Sequence, residues 1–176
     1  MTIQRIDPPL AADEVTMLRS FLDAFRATIR RQADGLSDEQ LRQPLGPSPL
    51  TLGGMLSHLA FVEDYWFTHV LAGQPPSQPW AEVDWESDND WDWHLAERLS
   101  YAELDSLLVT AIANSDKILD AALATGGLDQ QAKRERGAGR ETPTLRWILV
   151  HLVEEYARHT GHADLIRESI DGATDL

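Results

Sequence analysis

The sequence predicts an all-α protein, a four-helix bundle, and three observations support this prediction. Four long segments carry apolar residues at intervals of three and four, the period of an amphipathic helix. Capping signals mark the ends of these segments, and no alternating run typical of a β-strand lies between them. Four such helices bury their apolar stripes most simply against one common core. We expect a single domain over residues 1–176.

The first long helix is predicted from Asp13 to about Ala33. Its apolar residues follow the helical period: Val15, Leu18, Leu22, Phe25 and Ile29. Ser37 and Gln40 then resemble a capping box that opens a short helix. Prolines at positions 44, 47 and 49 prevent this helix from continuing, because proline lacks the amide hydrogen that a helix needs.

The second long helix is predicted from Thr51 to near Gly73. Its inward register contains Met55, His58, Leu59, Val62 and Trp66. His69 would lie about three turns along the same helix, roughly 16 Å from His58. It therefore cannot bind the same ion as His58, and we expect it to have a structural role.

The helical pattern lapses between residues 74 and 99, where prolines are followed by four tryptophans, at 80, 85, 91 and 93. We expect a long, partly structured connection, since long loops without any structure are uncommon in compact domains. The tryptophans are interpreted as packing anchors, and His94 as a surface or packing residue. Asp88, Asp90 and Asp92 alternate as in a calcium loop, but the glycine and the distal glutamate of that motif are missing.

The third long helix is predicted from a second capping box at Ser100 to Gly126. The fourth starts near Thr144 and ends at about Ile170. A basic loop joins them and contains Lys133, Arg134, Arg136, Gly137, Gly139 and Arg140. We expect this loop to be solvated, although it could meet a small anionic ligand.

Composition excludes several classes of function. The net charge of −14 and the isoelectric point near 4.6 argue against general binding to nucleic acids or to anionic membranes. The chain has no cysteine, which excludes disulfides, thiolate metal ligands and a cysteine nucleophile. The sequence shows neither a signal peptide nor an apolar run of the roughly 18 residues that a membrane span needs. We therefore expect a cytoplasmic protein.

The fourth helix carries the strongest functional signal. At about 100° per residue, four polar residues fall within an arc of roughly 80°: His151, Glu155, His159 and His162. Apolar residues lie along and beside this stripe: Ile148, Leu152, Tyr156, Ala163, Ile166 and Ile170. The polar groups therefore border or enter the buried face. A buried, unpaired carboxylate would cost several kcal/mol, so a metal ion, a basic residue or a hydrogen-bond network is needed.

Glu155 and His159 lie four residues apart, so their side chains can bind one ion from the same helix. His58 is the natural third ligand, and the set suits zinc, nickel or iron with positions open for water or substrate. His151 and His162 flank the pair as candidate catalytic residues that orient ligands or carry protons. Either could instead replace Glu155 as a ligand. The alternative is that each histidine only forms hydrogen bonds within the core.

The helical layout, His58 in Leu-Ser-His-Leu, and Glu155-x-x-x-His159 followed by Gly-His-Ala-Asp resemble the DinB-like superfamily, closest to an actinobacterial branch. The resemblance covers nearly the whole chain and is most specific from Leu145 to Gly172. It implies a four-helix bundle of up-down-down-up order that holds zinc or nickel. Many members use three histidines, whereas the similar mycothiol-dependent maleylpyruvate isomerase has glutamate at the first paired position. The ligands implied here are His58, Glu155 and His159.

The resemblance also implies a function. Characterised relatives use the metal to activate a low-molecular-weight thiol such as mycothiol or bacillithiol, and a chain without cysteine must take its thiol from outside. We therefore expect a metal-dependent thiol transferase or isomerase whose partners are a small-molecule substrate and a thiol. A homodimer is compatible with this scheme. The alternatives are a non-catalytic, metal-stabilised stress or interaction module, and a metal-dependent hydrolase.

Overall fold

A computed structural model describes residues 3–136 and 139–174, and Gly137 of the basic loop lies outside the described residues. Within these ranges the chain is helical and contains no β-strand, so the all-α prediction is confirmed. The α-helices are α1 (Glu14–Ala33), α2 (Asp38–Leu41), α3 (Leu52–Glu63), α4 (Trp91–His94), α5 (Tyr101–Gly126) and α6 (Leu145–Asp171). Two isolated bridges, Gln131 with Thr144 and Arg136 with Glu141, shape the basic loop.

The long helices begin where the sequence predicts, because a side chain caps each first turn. The caps are Asp13 of α1, Thr51 of α3, Ser100 of α5 and Thr144 of α6, and each accepts a hydrogen bond from the amide three residues ahead. Helix α6 ends at Asp171, and Gly172 follows it with a φ of 76°, which glycine adopts without the steric cost of a Cβ. No helix among the described residues combines the length and the apolar character needed to cross a membrane.

The second long helix differs from the predicted regular helix to Gly73. Helix α3 ends at Glu63, and the chain continues directly as a π-helix over Asp64–Leu71. Here the Ala72 amide donates to the carbonyl five residues back. Such turns are rare and often lie at functional sites. The sequence pattern does not reveal this change, since apolar residues at 66, 67, 70 and 71 satisfy the α-helical period as well.

The core positions α3 against α6, the two helices that carry the predicted ligands. Helix α1 packs mainly against α6 and α3 mainly against α5, while α3 also contacts α6 and α1. The largest fully buried side chains of this core include Tyr156, Phe67, Leu22, Ile29, Leu41, Leu52, Met55, Leu56 and Leu59. Burial of each large apolar side chain contributes about 1.5–3 kcal/mol, so the spacing between these helices is strongly determined.

A charged network crosses this core beside the predicted site. Arg26 of α1 donates to both carboxylate oxygens of Glu63, each at 2.8 Å, and Tyr156 Oη donates to Glu63 Oε1 at 2.9 Å. Arg26 also donates to Asp116 of α5 at 2.9 Å. The helical pattern does not predict these buried charges. Together they tie four helices into one register, because removing one partner would leave a buried charge uncompensated.

The connection between residues 74 and 99 is partly structured, as predicted. It contains α4 and two short 3-10 turns, and α4 lies against α3. Trp80 is buried and contacts the rings of Phe61 and Trp91, which confirms the interpretation of this tryptophan as a packing anchor. Trp93 also packs against the core, and in addition it lies at the candidate site described next.

Candidate metal centre

Helices α3 and α6 bring the three predicted ligands together. His58 extends from α3, while Glu155 and His159 lie one turn apart on α6. One potential ligand atom from each residue lies within 4.8 Å of the other two. The three side chains therefore form one cluster, and their role as metal ligands stays a prediction.

The spacing of the donor atoms suits a shared ion better than a direct hydrogen bond. His159 Nε2 lies 3.5 Å from Glu155 Oε2, whereas an N–H···O bond is usually about 2.9 Å long. Two ligand atoms that are each about 2.1 Å from a tetrahedral ion lie roughly 3.4 Å apart. The rings of His58 and His159 meet edge to face, with centroids 5.0 Å apart.

The cluster is largely buried, and one of its buried polar atoms has no hydrogen-bond partner among the described residues. The side chains of His159, Glu155 and His58 are 9%, 16% and 18% exposed. His159 Nδ1 is buried and has no hydrogen-bond partner among the described residues, which costs free energy. Two imidazoles and one carboxylate that converge in a largely dry site are a donor set that fits a divalent ion.

Asp92 and Trp93 of α4 hold the His58 ring. His58 Nδ1 and Asp92 Oδ2 lie 2.6 Å apart, and the Asp92 side chain is only 6% exposed. The Trp93 indole stacks on the imidazole with centroids 4.3 Å apart and planes 17° apart. When Nδ1 donates to the carboxylate, the Nε2 lone pair is left available. Metal-binding histidines commonly have such a carboxylate partner, which fixes the tautomer and the ring orientation.

The surroundings of Glu155 favour its ionised form. The nearby ring of His159 is the main reason that the pKa of Glu155 lies below its usual range, and His151 and His58 act in the same direction. Partial burial opposes this shift. A carboxylate that stays ionised in a largely buried position is prepared for a cation.

His151 lies on the other side of Glu155. Its Nε2 is 3.6 Å from Glu155 Oε1. The ring stacks on Trp147 with centroids 4.9 Å apart and meets Trp66 edge to face at 4.8 Å. The structure thus places His151 beside the cluster, between two indoles, where it can contact a molecule that approaches Glu155.

A second group of potential ligands shares this carboxylate and consists of His151, Glu154 and Glu155. It is the weaker candidate. Glu154 is 48% exposed and forms an ion pair with Arg158, so its charge is already compensated in water. The group with His58 and His159 joins two helices and is better buried.

The remaining histidines, His162, His69 and His94, enter no group of potential ligands among the described residues. His162 adjoins His159, with ring centroids 5.7 Å apart, and its buried Nδ1 has no partner among the described residues. It does not enter a group of potential ligands within those residues. His69 lies on the π-helix, where burial chiefly lowers its pKa. His94 is half exposed and faces the Asp88 carboxylate, with Nδ1 2.9 Å from Oδ2.

Comparison with known families adds a decisive observation. Residues 17–172 match the family model described as mycothiol-S-transferase. The chain belongs to this family. The match spans nearly all of the four long helices and confirms the resemblance to DinB-like proteins. No curated protein matches the chain.

Two site residues of this mycothiol-S-transferase family member escape sequence reasoning. Asp92 lies in a row of acidic residues that resembles an incomplete calcium loop in the sequence, and the sequence predicts only a packing role for Trp93. Both belong to an irregular connection, where helical periodicity carries no information about the face that a side chain occupies. The same pair of an aspartate and a tryptophan occurs at Asp84–Trp85 and Asp90–Trp91, so no local signal distinguishes Asp92 and Trp93.

Proposed function

We propose that the chain is a metal-dependent mycothiol S-transferase that holds zinc or nickel on His58, Glu155 and His159. The observation that carries this proposal is the convergence of these three donors in a largely buried cluster of a member of the mycothiol-S-transferase family. The up-down-down-up order of a four-helix bundle, which the DinB-like resemblance implies, is part of the proposal.

The chemistry requires a thiol from outside, because the chain contains no cysteine. A divalent metal, when bound, supplies Lewis acidity that lowers the pKa of a thiol and favours the thiolate. The protein residues then have separate tasks. His58 and His159 offer neutral imidazole nitrogens, and Glu155 offers a negative charge that offsets part of the charge of a cation.

The surrounding residues orient and enclose these groups. Asp92 fixes the His58 ring through Nδ1, and the Trp93 indole covers one face of that ring. In the proposed reaction His151, whose Nε2 lies 3.6 Å from Glu155, accepts the proton that a thiol releases. His162, which adjoins His159, acts in the proposal as a supporting group that limits the movement of the His159 ring.

Elemental analysis of protein purified without a histidine tag tests the metal. We expect about one zinc or nickel per chain after loading. His58→Ala, Glu155→Ala and His159→Ala should abolish this uptake. The matched controls are His94→Ala and Glu154→Ala, since these replace the same residue types at more exposed positions. Failure of the unaltered protein to retain either metal, or equal losses in the controls, would refute the ligand assignment.

A turnover assay tests the proposed transferase activity. With 1-chloro-2,4-dinitrobenzene as the electrophile, the metal-loaded protein should form the mycothiol conjugate and release chloride, and His151→Ala should slow this reaction while metal is retained. Hydrolysis of an ester without any thiol would support a hydrolase instead. Metal uptake with neither activity would favour a non-catalytic, metal-stabilised module.

A further inference from the structure

A pocket opens beside the His151 side of the candidate metal centre. It has a volume of about 540 Å³, and its lining includes Trp66, Trp147, Arg136 and Glu141. This volume lies within the range of about 300–1,000 Å³ that small-molecule sites occupy. The proposed metal ligands do not line this pocket. Other side chains must therefore determine what the pocket binds.

Two indoles form the apolar part of this pocket. Trp66, on the π-helix, and Trp147, in the first turn of α6, have ring centroids 5.1 Å apart and planes 53° apart. Trp66 is almost buried, whereas Trp147 is 49% exposed. An indole half exposed at the mouth of a pocket offers a large, rigid face on which a planar group can stack.

Arg136 adds a positive charge to the same pocket. Its guanidinium carbon lies 5.9 Å from the Trp66 ring centroid and 5.0 Å from that of Tyr65. Two backbone hydrogen bonds with Glu141, of 2.7 and 3.0 Å, fix the position of its main chain. Among the ion pairs of the described residues, none involves Arg136, while the nearby Arg140 pairs with Glu135. The guanidinium is therefore held over aromatic rings with donors available for an anion.

The pocket is connected to the candidate metal centre by direct contacts. Trp147 stacks on His151, and His151 Nε2 lies 3.6 Å from Glu155. A molecule that stacks on Trp147 is thus two side chains away from a proposed ligand. Glu141 lines the same pocket, and its carboxylate disfavours additional negative charges, so a ligand with one anionic group fits better than a polyanion.

We propose that this pocket binds the electrophilic substrate and selects planar aromatic compounds that carry one carboxylate. The role as an electrophile site rests on the proposed transferase function, whereas the binding preference does not. The ring stacks on the exposed indole of Trp147, and the carboxylate accepts hydrogen bonds from Arg136. In the reaction, the mycothiol sulfur forms a bond to the aromatic carbon, the carbon–chlorine bond of a chloroaromatic probe breaks, chloride leaves, and the thiol proton passes through His151 to the buffer.

Calorimetric titration with 4-chloro-3-nitrobenzoate and its neutral amide, both without thiol, tests the preference. We expect the benzoate to bind about tenfold more tightly than the amide, since a charge-assisted hydrogen bond to Arg136 is lost in the amide. Arg136→Gln should remove this difference, and Trp147→Ala should weaken both ligands. Arg140→Gln, with the same change of charge in the same loop but outside this pocket, should have no effect. Equal binding of the two probes, absence of binding, or equal effects of the two arginine variants would overturn the proposal.

Binding measurements with and without the metal distinguish this proposal from the proposed function. Benzoate binding that persists after chelator treatment and still depends on Arg136 supports the pocket, even where no metal-dependent activity is found. Binding that disappears with the metal would mean that the carboxylate coordinates the ion, which overturns the pocket assignment. In active, metal-loaded protein, Arg136→Gln should raise KM for the benzoate about tenfold, whereas Arg140→Gln should leave kcat and the KM of both substrates unchanged.

Discussion

Asp92→Asn should weaken zinc binding without abolishing it. Asp92 Oδ2 lies 2.6 Å from His58 Nδ1 in a position that water hardly reaches, since the Asp92 side chain is 6% exposed. Asparagine keeps the size and one acceptor oxygen of the carboxylate but loses its charge. The imidazole then becomes a weaker electron donor, and its tautomer is less strongly fixed.

The size of the effect follows from what remains after the substitution. Loss of an outer carboxylate typically lowers metal affinity by about 10- to 100-fold, or about 1.4–2.7 kcal/mol. The Trp93 stack on His58 stays in place, and the asparagine oxygen still accepts a hydrogen bond. We therefore expect the lower part of this range, about 10- to 30-fold. His58→Ala, which removes the ligand itself, should cost more.

Competition between the protein and a chromophoric chelator for zinc measures this change. The matched control is Asp90→Asn, which makes the same substitution at an exposed position two residues earlier, and its zinc affinity should equal that of the unaltered protein. Urea unfolding of the metal-free variants checks that both fold. Equal affinities of Asp92→Asn and Asp90→Asn would refute the reasoning, and so would a loss as large as that of His58→Ala.

Three further predictions concern stability, titration and packing. Glu63→Gln should destabilise the protein by about 3 kcal/mol and lower its melting temperature by roughly 6–12 °C, because Arg26 loses its buried charged partner; a change below about 2 °C in thermal unfolding would contradict this. The hydrogen bond to the Asp88 carboxylate is the main reason that the pKa of His94 lies above its usual value. The pair therefore stabilises the folded protein fully at a pH below the pKa of histidine in the unfolded chain. This contribution is lost as the pH rises through the pKa of His94 in the folded protein. Asp88→Asn should therefore lower the NMR titration midpoint of His94, and an unchanged midpoint would be evidence against the pairing. Gly54→Ala would place a Cβ 3.0 Å from the Trp93 indole, which stacks on the proposed ligand His58. We expect a loss of about 1–3 kcal/mol in the free energy of unfolding by urea together with weaker zinc binding. Wild-type values for both would show that the indole moves freely.

The long helices could be predicted because their determinants are local. Caps at Asp13, Thr51, Ser100 and Thr144 accept hydrogen bonds from nearby amides, and the apolar period sets the buried face. The grouping of His58 with two residues of α6 could be predicted for the same reason: an i, i+4 pair on a buried face needs a partner across the core. Neither inference requires knowledge of distant contacts.

The buried charges could not be predicted, because their cause is distant in sequence. Glu63 satisfies the helical period as a surface residue would, and only Arg26, 37 positions earlier, and Tyr156, 93 positions later, make its burial favourable. The π-helix after Glu63 could not be predicted from the sequence for another reason. It changes the rotation per residue over Asp64–Leu71, where the apolar side chains are dense enough to fit either rotation.

In the candidate site, the long helices set the distances between the proposed ligands, whereas less regular segments provide the surrounding aromatic side chains. Rigid helices α3 and α6 set the distances among His58, Glu155 and His159. Aromatic walls come from less regular parts, with Trp93 from the connection and Trp66 from the π-helix. A substitution at Trp93 or Trp66 can alter what stacks there without moving a helix, whereas a substitution in the core moves the atoms that are proposed to bind the metal. Asp92 is the exception, since it lies in the connection yet holds a proposed ligand, and for this reason its effect on zinc affinity is the sharpest test of the site.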